Sequence, residues 1–125
     1  MNTPANLKYA NSDEWFDPST GAVGISDYAQ GQLSDIVFVE ILVEEGEEVT
    51  VGKAIASVES VKASSEIYSP VAGKVTAVNK DLSNAPETIN TDPYGAAWMI
   101  KVDGSAAGDL MDAAAYGTYC EGRSH

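Results

Sequence analysis

The sequence predicts a mainly β fold, a flattened β-barrel or sandwich with short helices and one C-terminal helix. Short runs of β-branched and aromatic residues recur along the chain, with glycine or proline at the corners between them. The most helix-favouring stretch, 105–120, comes last. The chain has 125 residues, of which 44% are hydrophobic, so we expect one domain, 1–125, with a buried core.

The first part of the chain, about 7–26, predicts an N-terminal hairpin. Asp17–Gly21 has proline and glycine at positions that favour a turn. Ser26 is a good helix N-cap, and Asp27 complements the helix dipole. The predicted elements are a short edge strand at 7–10, strands at 14–17 and 22–25, and a short helix at 27–33.

The middle part, about 34–102, predicts the core of the domain. Ile36–Val43 is almost continuously apolar, which favours a buried strand. Glu44–Glu48 predicts an acidic turn and no metal site, because no histidine accompanies it and its spacing is not that of a calcium loop. The other predicted elements are strands within 49–58, 66–68, 74–78 and 98–102, a helical turn at 79–85, a turn at 92–95, a C-terminal helix at 105–120 and a mobile tail at 121–125.

Charge and hydropathy exclude several classes of function. The net charge is −12, from 19 acidic and 7 basic residues, which argues against binding nucleic acid or anionic membranes. No apolar run is long enough to span a bilayer. The start of the chain has the features of neither a secretory signal nor a transit peptide. We therefore expect a cytoplasmic protein, with the mitochondrial matrix, as a mature chain, as the alternative.

Lys62 lies between two strand-like runs, at a predicted tight bend. Its neighbours Ser60, Ala63 and Ser64 are small, which leaves room for another protein to approach the amine. A lysine in a hairpin loop is usually only a solvated charge. Here the bend and its small flanks favour a lysine that is presented to a modifying enzyme.

The residues around Lys62 resemble a known family. Glu-Ser-Val-Lys-Ala at 59–63 and Tyr-Ser-Pro-Val-Ala-Gly-Lys-Val at 68–75 closely resemble the lipoyl-lysine segment of glycine cleavage system H proteins. Biotin carriers have methionine on both sides of the lysine, and lipoyl domains of 2-oxoacid dehydrogenases usually have aspartate before it. Val61 fits the H-protein pattern. The resemblance extends from about Leu7 to Tyr119, through similar segments at 13–15, 23–37 and 98–101.

The resemblance implies a fold, a cofactor and a set of partners. The fold would be the lipoyl-type barrel-sandwich hybrid, and Lys62 would carry lipoic acid in an amide bond, as N6-lipoyllysine. The arm would take an aminomethyl group from pyridoxal-phosphate glycine decarboxylase to tetrahydrofolate-dependent aminomethyltransferase. Dihydrolipoyl dehydrogenase, with FAD, would reoxidise the dithiol, and a lipoate ligase or lipoyl transferase would attach the arm. The resemblance thus implies a carrier without catalytic residues or metal, which we expect to be a monomer.

The resemblance also implies a cleft for the loaded arm. The matching positions are Ser12, Glu14 and Glu66. A carboxylate is the natural partner of the amine cation, because charge-assisted hydrogen bonds are about twice as strong as neutral ones. The alternative is that Glu14 and Glu66 are ordinary surface acids.

Some residues depart from the family pattern, and other functions stay open. The family usually has histidine where this chain has Asp13, and glycine where it has Ser34. The alternatives are an H-like lipoyl donor for other lipoate-dependent enzymes, a biotinyl-type carrier, and a structural domain whose lysine is never modified. Cys120 has no partner histidine except His125 in the tail, so it predicts a small apolar contact or an idle thiol, not a nucleophile.

Overall fold

Two antiparallel sheets form most of the fold in the computed structural model, which describes residues 3–104 and 110–123. The strands are β1 Lys8–Tyr9, β2 Glu14–Phe16, β3 Ala22–Ile25, β4 Ile36–Ile41, β5 Glu48–Val49, β6 Ala54–Ser60, β7 Ser64–Tyr68, β8 Gly73–Val78 and β9 Ile100–Asp103. The larger sheet has the strand order β1-β2-β3-β9-β8-β5, and the smaller has the order β4-β6-β7. This arrangement confirms the predicted mainly β, flattened sandwich.

The N-terminal strands pair as the sequence predicts. β2 and β3 form a hairpin, and β1 adds to its outer edge. The turn between β2 and β3 is closed by the Asp17 carbonyl, which accepts from the Gly21 N–H at 2.7 Å. Gly21 has a φ of +83°, and a Cβ there would lie 2.5 Å from the Val102 carbonyl oxygen. Only glycine fits this turn where it packs against β9.

The helices are short and lie at the ends of the sheets. Helix α1, Asp27–Leu33, begins at Ser26, whose side chain accepts from the Ala29 N–H, as predicted. A 3-10 helix at Lys80–Asn84 confirms the predicted helical turn. A further short helix, α2 at Thr88–Thr91, was not predicted, because threonine and asparagine are weak helix formers.

The C-terminal helix, α3 at Ala113–Arg123, begins and ends later than predicted. Of the predicted range 105–120, residues 105–109 lie outside the described part of the chain. Met111 is not helical, because it pairs with Tyr9 in an antiparallel bridge, with N···O distances of 2.7 and 2.8 Å. Residues 121–123, which the sequence assigns to a tail, continue α3, and Arg123 binds Asp13. Residues 124–125 lie outside the described ranges.

The prediction of a buried strand at 36–43 is only partly correct. Ile36 and Val39 are buried, but the Val37 side chain is 55% exposed and Phe38 is 45% exposed. The pairing of β4 with β6 shifts between Ile36 and Phe38, so Val37 is an extra residue that changes the alternation. One face of this three-stranded sheet packs on the core, and the other leaves apolar side chains at the surface.

A separate aromatic cluster joins α3 to the N-terminal hairpin. The rings of Tyr9 and Tyr116 stack with centroids 4.6 Å apart, and Trp15 packs in the same cluster. Cys120 is also buried there, and burial raises the pKa of its thiol. This confirms the predicted small apolar contact. Among the described helices, none combines the length and hydropathy needed to cross a membrane.

Candidate functional site

Lys62 lies at the tip of the β6–β7 hairpin. The strands stay paired up to Glu59 and Ser64, so the turn spans only 60–63. Lys62 is exposed, as are Val61 and Ala63 on either side of it. In the described part of the chain, the salt bridges are Lys53–Glu47 and Arg123–Asp13, so neither involves Lys62. The hairpin thus presents an amine that a second protein can reach.

Ser60 fixes the shape of this turn. Its Oγ accepts from the N–H groups of Lys62 and Ala63, both at 3.1 Å, and it lies 3.1 Å from the Ala63 carbonyl, to which it donates. The Ser60 N–H also donates to the Ala63 carbonyl at 2.8 Å. Because one short side chain satisfies successive backbone groups, the turn holds the base of Lys62 in one direction.

The turn is also tied to the start of β4. The N–H of Val61 donates to the carbonyl of Asp35 at 3.0 Å. The Val61 side chain, by contrast, is 65% exposed. The backbone on both sides of Lys62 is therefore anchored while the side chains point away from the sheet.

A groove of about 270 Å³ lies beside this hairpin. Its floor is apolar, with side chains from β3, α1 and β7. Its rim is polar and carries charges of both signs. The lining residues are Ser12, Asp13, Ile25, Tyr28, Ala29, Gln32, Leu33, Ser65, Glu66, Ile67 and Arg123.

The residues predicted for the arm cleft occupy two different settings. Ser12 and Glu66 both line the groove. They belong to two segments that meet there, since the N–H of Tyr68 donates to Glu14, 54 positions away in the sequence. Glu14 does not line the groove. It lies behind it, only 1% exposed, so the alternative of an ordinary surface acid is wrong for Glu14. Glu66 is exposed.

Hydrogen bonds link Glu14 to both walls of the groove. One carboxylate oxygen accepts from the Ser12 hydroxyl at 2.5 Å, and the other accepts from the Tyr68 N–H at 3.2 Å. Burial raises the pKa of Glu14 to about 7, although these two hydrogen bonds act in the opposite direction. The charge of Asp13 raises this pKa further. Glu14 can therefore gain or lose a proton near neutral pH.

Two charged residues of the groove were not predicted. The Arg123 guanidinium donates to both carboxylate oxygens of Asp13, at 2.6 and 2.9 Å. The sequence predicts a tail at Arg123, because Gly122 and a short polar end follow the helical pattern. The spacing of Tyr116, Tyr119, Cys120 and Arg123 could have revealed one continuous helix face.

The two tryptophans and the acidic turn have structural roles. Trp15 donates from its indole N–H to the Pro93 carbonyl at 3.0 Å, and the Lys101 amine lies 5.1 Å from the Trp98 ring. Glu47 in the acidic turn pairs with Lys53 at 3.5 Å. Across residues 3–104 and 110–123, no group of three or more His, Cys, Asp or Glu residues is placed to hold a metal ion.

The sequence matches a known family over almost its whole length. The family model for the glycine cleavage H-protein matches residues 7–123. The glycine cleavage system H protein of Deinococcus radiodurans is 54% identical over 114 residues, which cover 91% of this chain and 93% of that protein. The H protein of Nocardia farcinica is 48% identical over 124 residues, covering 91% and 93%. This chain belongs to the glycine cleavage H-protein family.

A solved structure from the same family has the same fold. The crystal structure of a glycine cleavage system H protein from Mycobacterium marinum matches with a TM-score of 0.84 and 36% identity, covering 92% of this chain and 96% of that chain. The fold is therefore the lipoyl-type barrel-sandwich that the resemblance implied.

The two departures from the family pattern share a backbone feature. Asp13 and Ser34 are the non-glycine residues with positive φ among the described residues, at 80° and 66°. Asp13 lies on the groove rim, and Ser34 ends α1 with a ψ of −148°. Glycine adopts this second conformation readily and serine does not.

Proposed function

We propose that Lys62 is the residue to which lipoic acid is attached, and that the protein carries the aminomethyl group of glycine between the enzymes of glycine cleavage. One observation carries this proposal. An exposed lysine stands on a fixed hairpin beside a groove with an apolar floor, in a chain of the H-protein family. The protein then acts as a carrier and has no catalytic residue of its own.

The residues fit an acyl arm on Lys62. The amine is exposed and can form an amide. Along β7, Glu66 lies within about 14 Å of Lys62, given the rise of a strand. The groove has apolar side chains from Ile25, Leu33 and Ile67 for the hydrocarbon, and a polar rim for a charged end.

Lipoic acid, when bound, supplies a disulfide that opens on reduction and can hold a one-carbon amine for transfer. The chain's own residues position that amine. Ser12 and Glu66 offer oxygen acceptors on the groove rim, and Glu14 orients the Ser12 hydroxyl from behind. Because the Ser12 hydroxyl donates to Glu14, a lone pair of the Ser12 oxygen is left to accept from a cation.

The proposed partners follow from this role. They are glycine decarboxylase, aminomethyltransferase and dihydrolipoyl dehydrogenase, with a lipoate ligase or lipoyl transferase to attach the arm. The net charge of −12 suits basic docking surfaces on these partners. A monomeric state and a cytoplasmic location stay predictions.

The attachment site is tested by mass. The protein is coexpressed with a lipoate ligase, and its intact mass and proteolytic peptides are measured. We expect one lipoyl group, on Lys62, and none on Lys62→Arg. Lys74→Arg is the control, because Lys74 is also exposed but lies on strand β8 and not in a turn. A biotinyl mass, no modification, or lipoate on another lysine would overturn the proposal.

The carrier role is tested by reconstitution. The lipoylated protein is mixed with the three partner enzymes, tetrahydrofolate and NAD⁺, and NADH formation is followed with glycine present. We expect turnover that depends on glycine and on Lys62. Lipoate transfer to other enzymes without glycine turnover would instead support the lipoyl-donor alternative.

The groove is tested by amine retention. The lipoylated protein is loaded from glycine by the decarboxylase, and ammonium release is followed without aminomethyltransferase. We expect Glu66→Ala to release ammonium about 10- to 100-fold faster, since a charge-assisted hydrogen bond contributes about 1.5–3 kcal/mol. Glu14→Ala should also release ammonium faster, because the Ser12 hydroxyl loses the group that orients it. Glu45→Ala, on the exposed acidic turn, is the matched control. Unchanged release from the double variant Glu14→Ala/Glu66→Ala would show that the arm is not held in this groove.

A further inference from the structure

A salt bridge forms one part of the groove rim. Asp13 and Arg123 both line the groove, and they join through two parallel N–H···O bonds. The side chains are 16% and 32% exposed, so the pair is partly shielded from water. This two-bond geometry is the strongest form of a carboxylate–guanidinium contact. The Asp13 hydrogen bonds raise the pKa of Arg123, which therefore stays charged.

Further contacts hold each partner in place. Tyr116 donates its hydroxyl to Asp13 at 2.8 Å, and its oxygen lies 2.6 Å from the Ser26 hydroxyl. Because Tyr116 has only one hydroxyl proton, Ser26 donates to Tyr116. The guanidinium of Arg123 lies 4.6 Å from the ring centre of Tyr28 and 4.7 Å from that of Tyr119. Stacking of this kind leaves the guanidinium little freedom to turn away from Asp13.

The pair determines the charge of the groove. The charged side chains on the rim are Asp13, Arg123 and Glu66. Since Asp13 and Arg123 neutralise each other, Glu66 remains as the unbalanced charge at the surface, with Glu14 buried behind. We propose that the Asp13–Arg123 pair sets how firmly the groove holds a cationic arm on Lys62, by limiting the groove's negative charge. This inference rests on the proposed function of Lys62.

The proposal predicts opposite effects for the two partners. Arg123→Gln leaves the Asp13 carboxylate unbalanced, so the groove becomes more negative and holds a cation longer. Asp13→Asn leaves the guanidinium unbalanced, so the groove becomes more positive and releases a cation sooner. A pair that only fastened α3 to the hairpin would give the same direction for both variants, since each breaks the same contact.

The first measurement needs no lipoyl group. Glu14 is faced by the Ser12 hydroxyl, the Tyr68 N–H and the Asp13 carboxylate. Carboxyl ¹³C NMR on the unmodified protein follows the titration of Glu14. We expect Arg123→Gln to move its midpoint to higher pH and Asp13→Asn to move it to lower pH. Shifts in the same direction, or no shift in either variant, would overturn the proposal.

The second measurement uses the loaded protein. Ammonium release without aminomethyltransferase is compared between the parent and the variants. We expect about three- to tenfold slower release for Arg123→Gln and about three- to tenfold faster release for Asp13→Asn, the size expected for one unit charge in a partly exposed site. The double variant Asp13→Asn/Arg123→Gln should release close to the parental rate. The differences should shrink as salt rises, since exposed charges are screened over about 8 Å at physiological ionic strength.

Matched controls distinguish the effect of the Asp13–Arg123 pair on amine release from effects of net charge and of misfolding. Glu45→Gln and Lys80→Gln make the same charge changes away from the groove and should leave release unchanged. Arg123→Lys keeps the positive charge but not the two parallel N–H donors, so the rate of release should stay within about twofold of the parent. If Asp13→Asn does not fold, the comparison of Arg123→Gln with Arg123→Lys still tests the proposal. Equal release rates from these two variants would overturn it. If the parent protein is not lipoylated on Lys62, the proposed attachment site is wrong, whatever the role of the Asp13–Arg123 pair.

Discussion

The Lys62 turn and the groove beside it are held by different kinds of contact. Most hydrogen bonds of the turn come from one neighbouring residue, Ser60, within three positions along the chain, and one more joins Val61 to Asp35. The groove depends on contacts between distant segments, such as Asp13 with Arg123, which are 110 positions apart. One region is specified mostly by local contacts, and the other exists only after the N-terminal hairpin, α1, β7 and α3 have packed together.

This difference separates two tasks of a carrier, which are to be recognised by a modifying enzyme and to hold the loaded arm. An exposed turn with its own hydrogen bonds can be recognised by a modifying enzyme whatever the state of the groove. A groove built from several elements can respond to any change in the packing among them. Substitutions that damage one region should therefore leave the other intact, and the following predictions test this from the largest effect to the smallest.

Tyr116→Ala should give the largest effect, because Tyr116 stacks on Tyr9 and binds Asp13 and Ser26. Truncating a buried aromatic side chain costs about 3–5 kcal/mol, measured here by urea unfolding. Tyr119→Ala, which removes a more exposed ring of the same helix, should cost about 1 kcal/mol. Below the unfolding transition, the turn at 60–63 should keep its amide NMR shifts. Equal losses for the two variants would contradict the role given to Tyr116.

The pH dependence of stability should report the buried carboxyl group of Glu14. Burial raises its pKa from an ordinary value of 4.5 to about 7. The folded protein then binds this proton more tightly than the unfolded chain does, so stability falls as pH rises between these values. One pKa unit corresponds to about 1.4 kcal/mol, which gives a loss of up to about 3 kcal/mol.

Glu14→Gln tests this assignment, since a neutral side chain cannot titrate. Its free energy of unfolding should fall less than that of the parent between about pH 5 and pH 7.5. Glu66→Gln removes the same charge from an exposed position and should keep the parental slope. If the free energy of unfolding of Glu14→Gln falls with pH as steeply as that of the parent, other groups cause the pH dependence.

The sequence predicted the turn well and the groove only in part, for the same physical reason. Residues 59–64 contain both the turn and the side chain that closes it, so local pattern is sufficient there. Arg123 looked like the end of a tail, because only the contact with Asp13 shows that α3 continues. The resemblance predicts Glu14 in the cleft, and only the packing shows that it is buried behind the groove. The extra residue at Val37 also changes which side chains of β4 face water.

Ser60→Ala should have a smaller, local effect. It removes the acceptor for the N–H groups of Lys62 and Ala63, which are exposed and can bind water instead. We expect a loss of about 0.5–1.5 kcal/mol in the turn, seen as faster amide hydrogen exchange at these two positions. Lipoylation by the ligase should slow, while the Glu14 titration stays parental. Ser64→Ala is the control, and equal exchange rates in both variants would contradict this role of Ser60.

Ser34→Gly should give an effect that is also small, but favourable. Ser34 ends α1 with φ 66° and ψ −148°, a conformation that costs a residue with a side chain about 1–3 kcal/mol. Glycine removes this cost but has more freedom to lose on folding, about 0.5–1 kcal/mol. The net gain should be about 1 kcal/mol, measured by urea unfolding, and Ser34→Ala should show no gain because it keeps a Cβ. Asp13→Gly also relieves a positive φ, yet it should destabilise, because it removes the acceptor of Arg123 and Tyr116. A gain for both glycine variants would mean that backbone strain at the groove rim outweighs the contacts of Asp13.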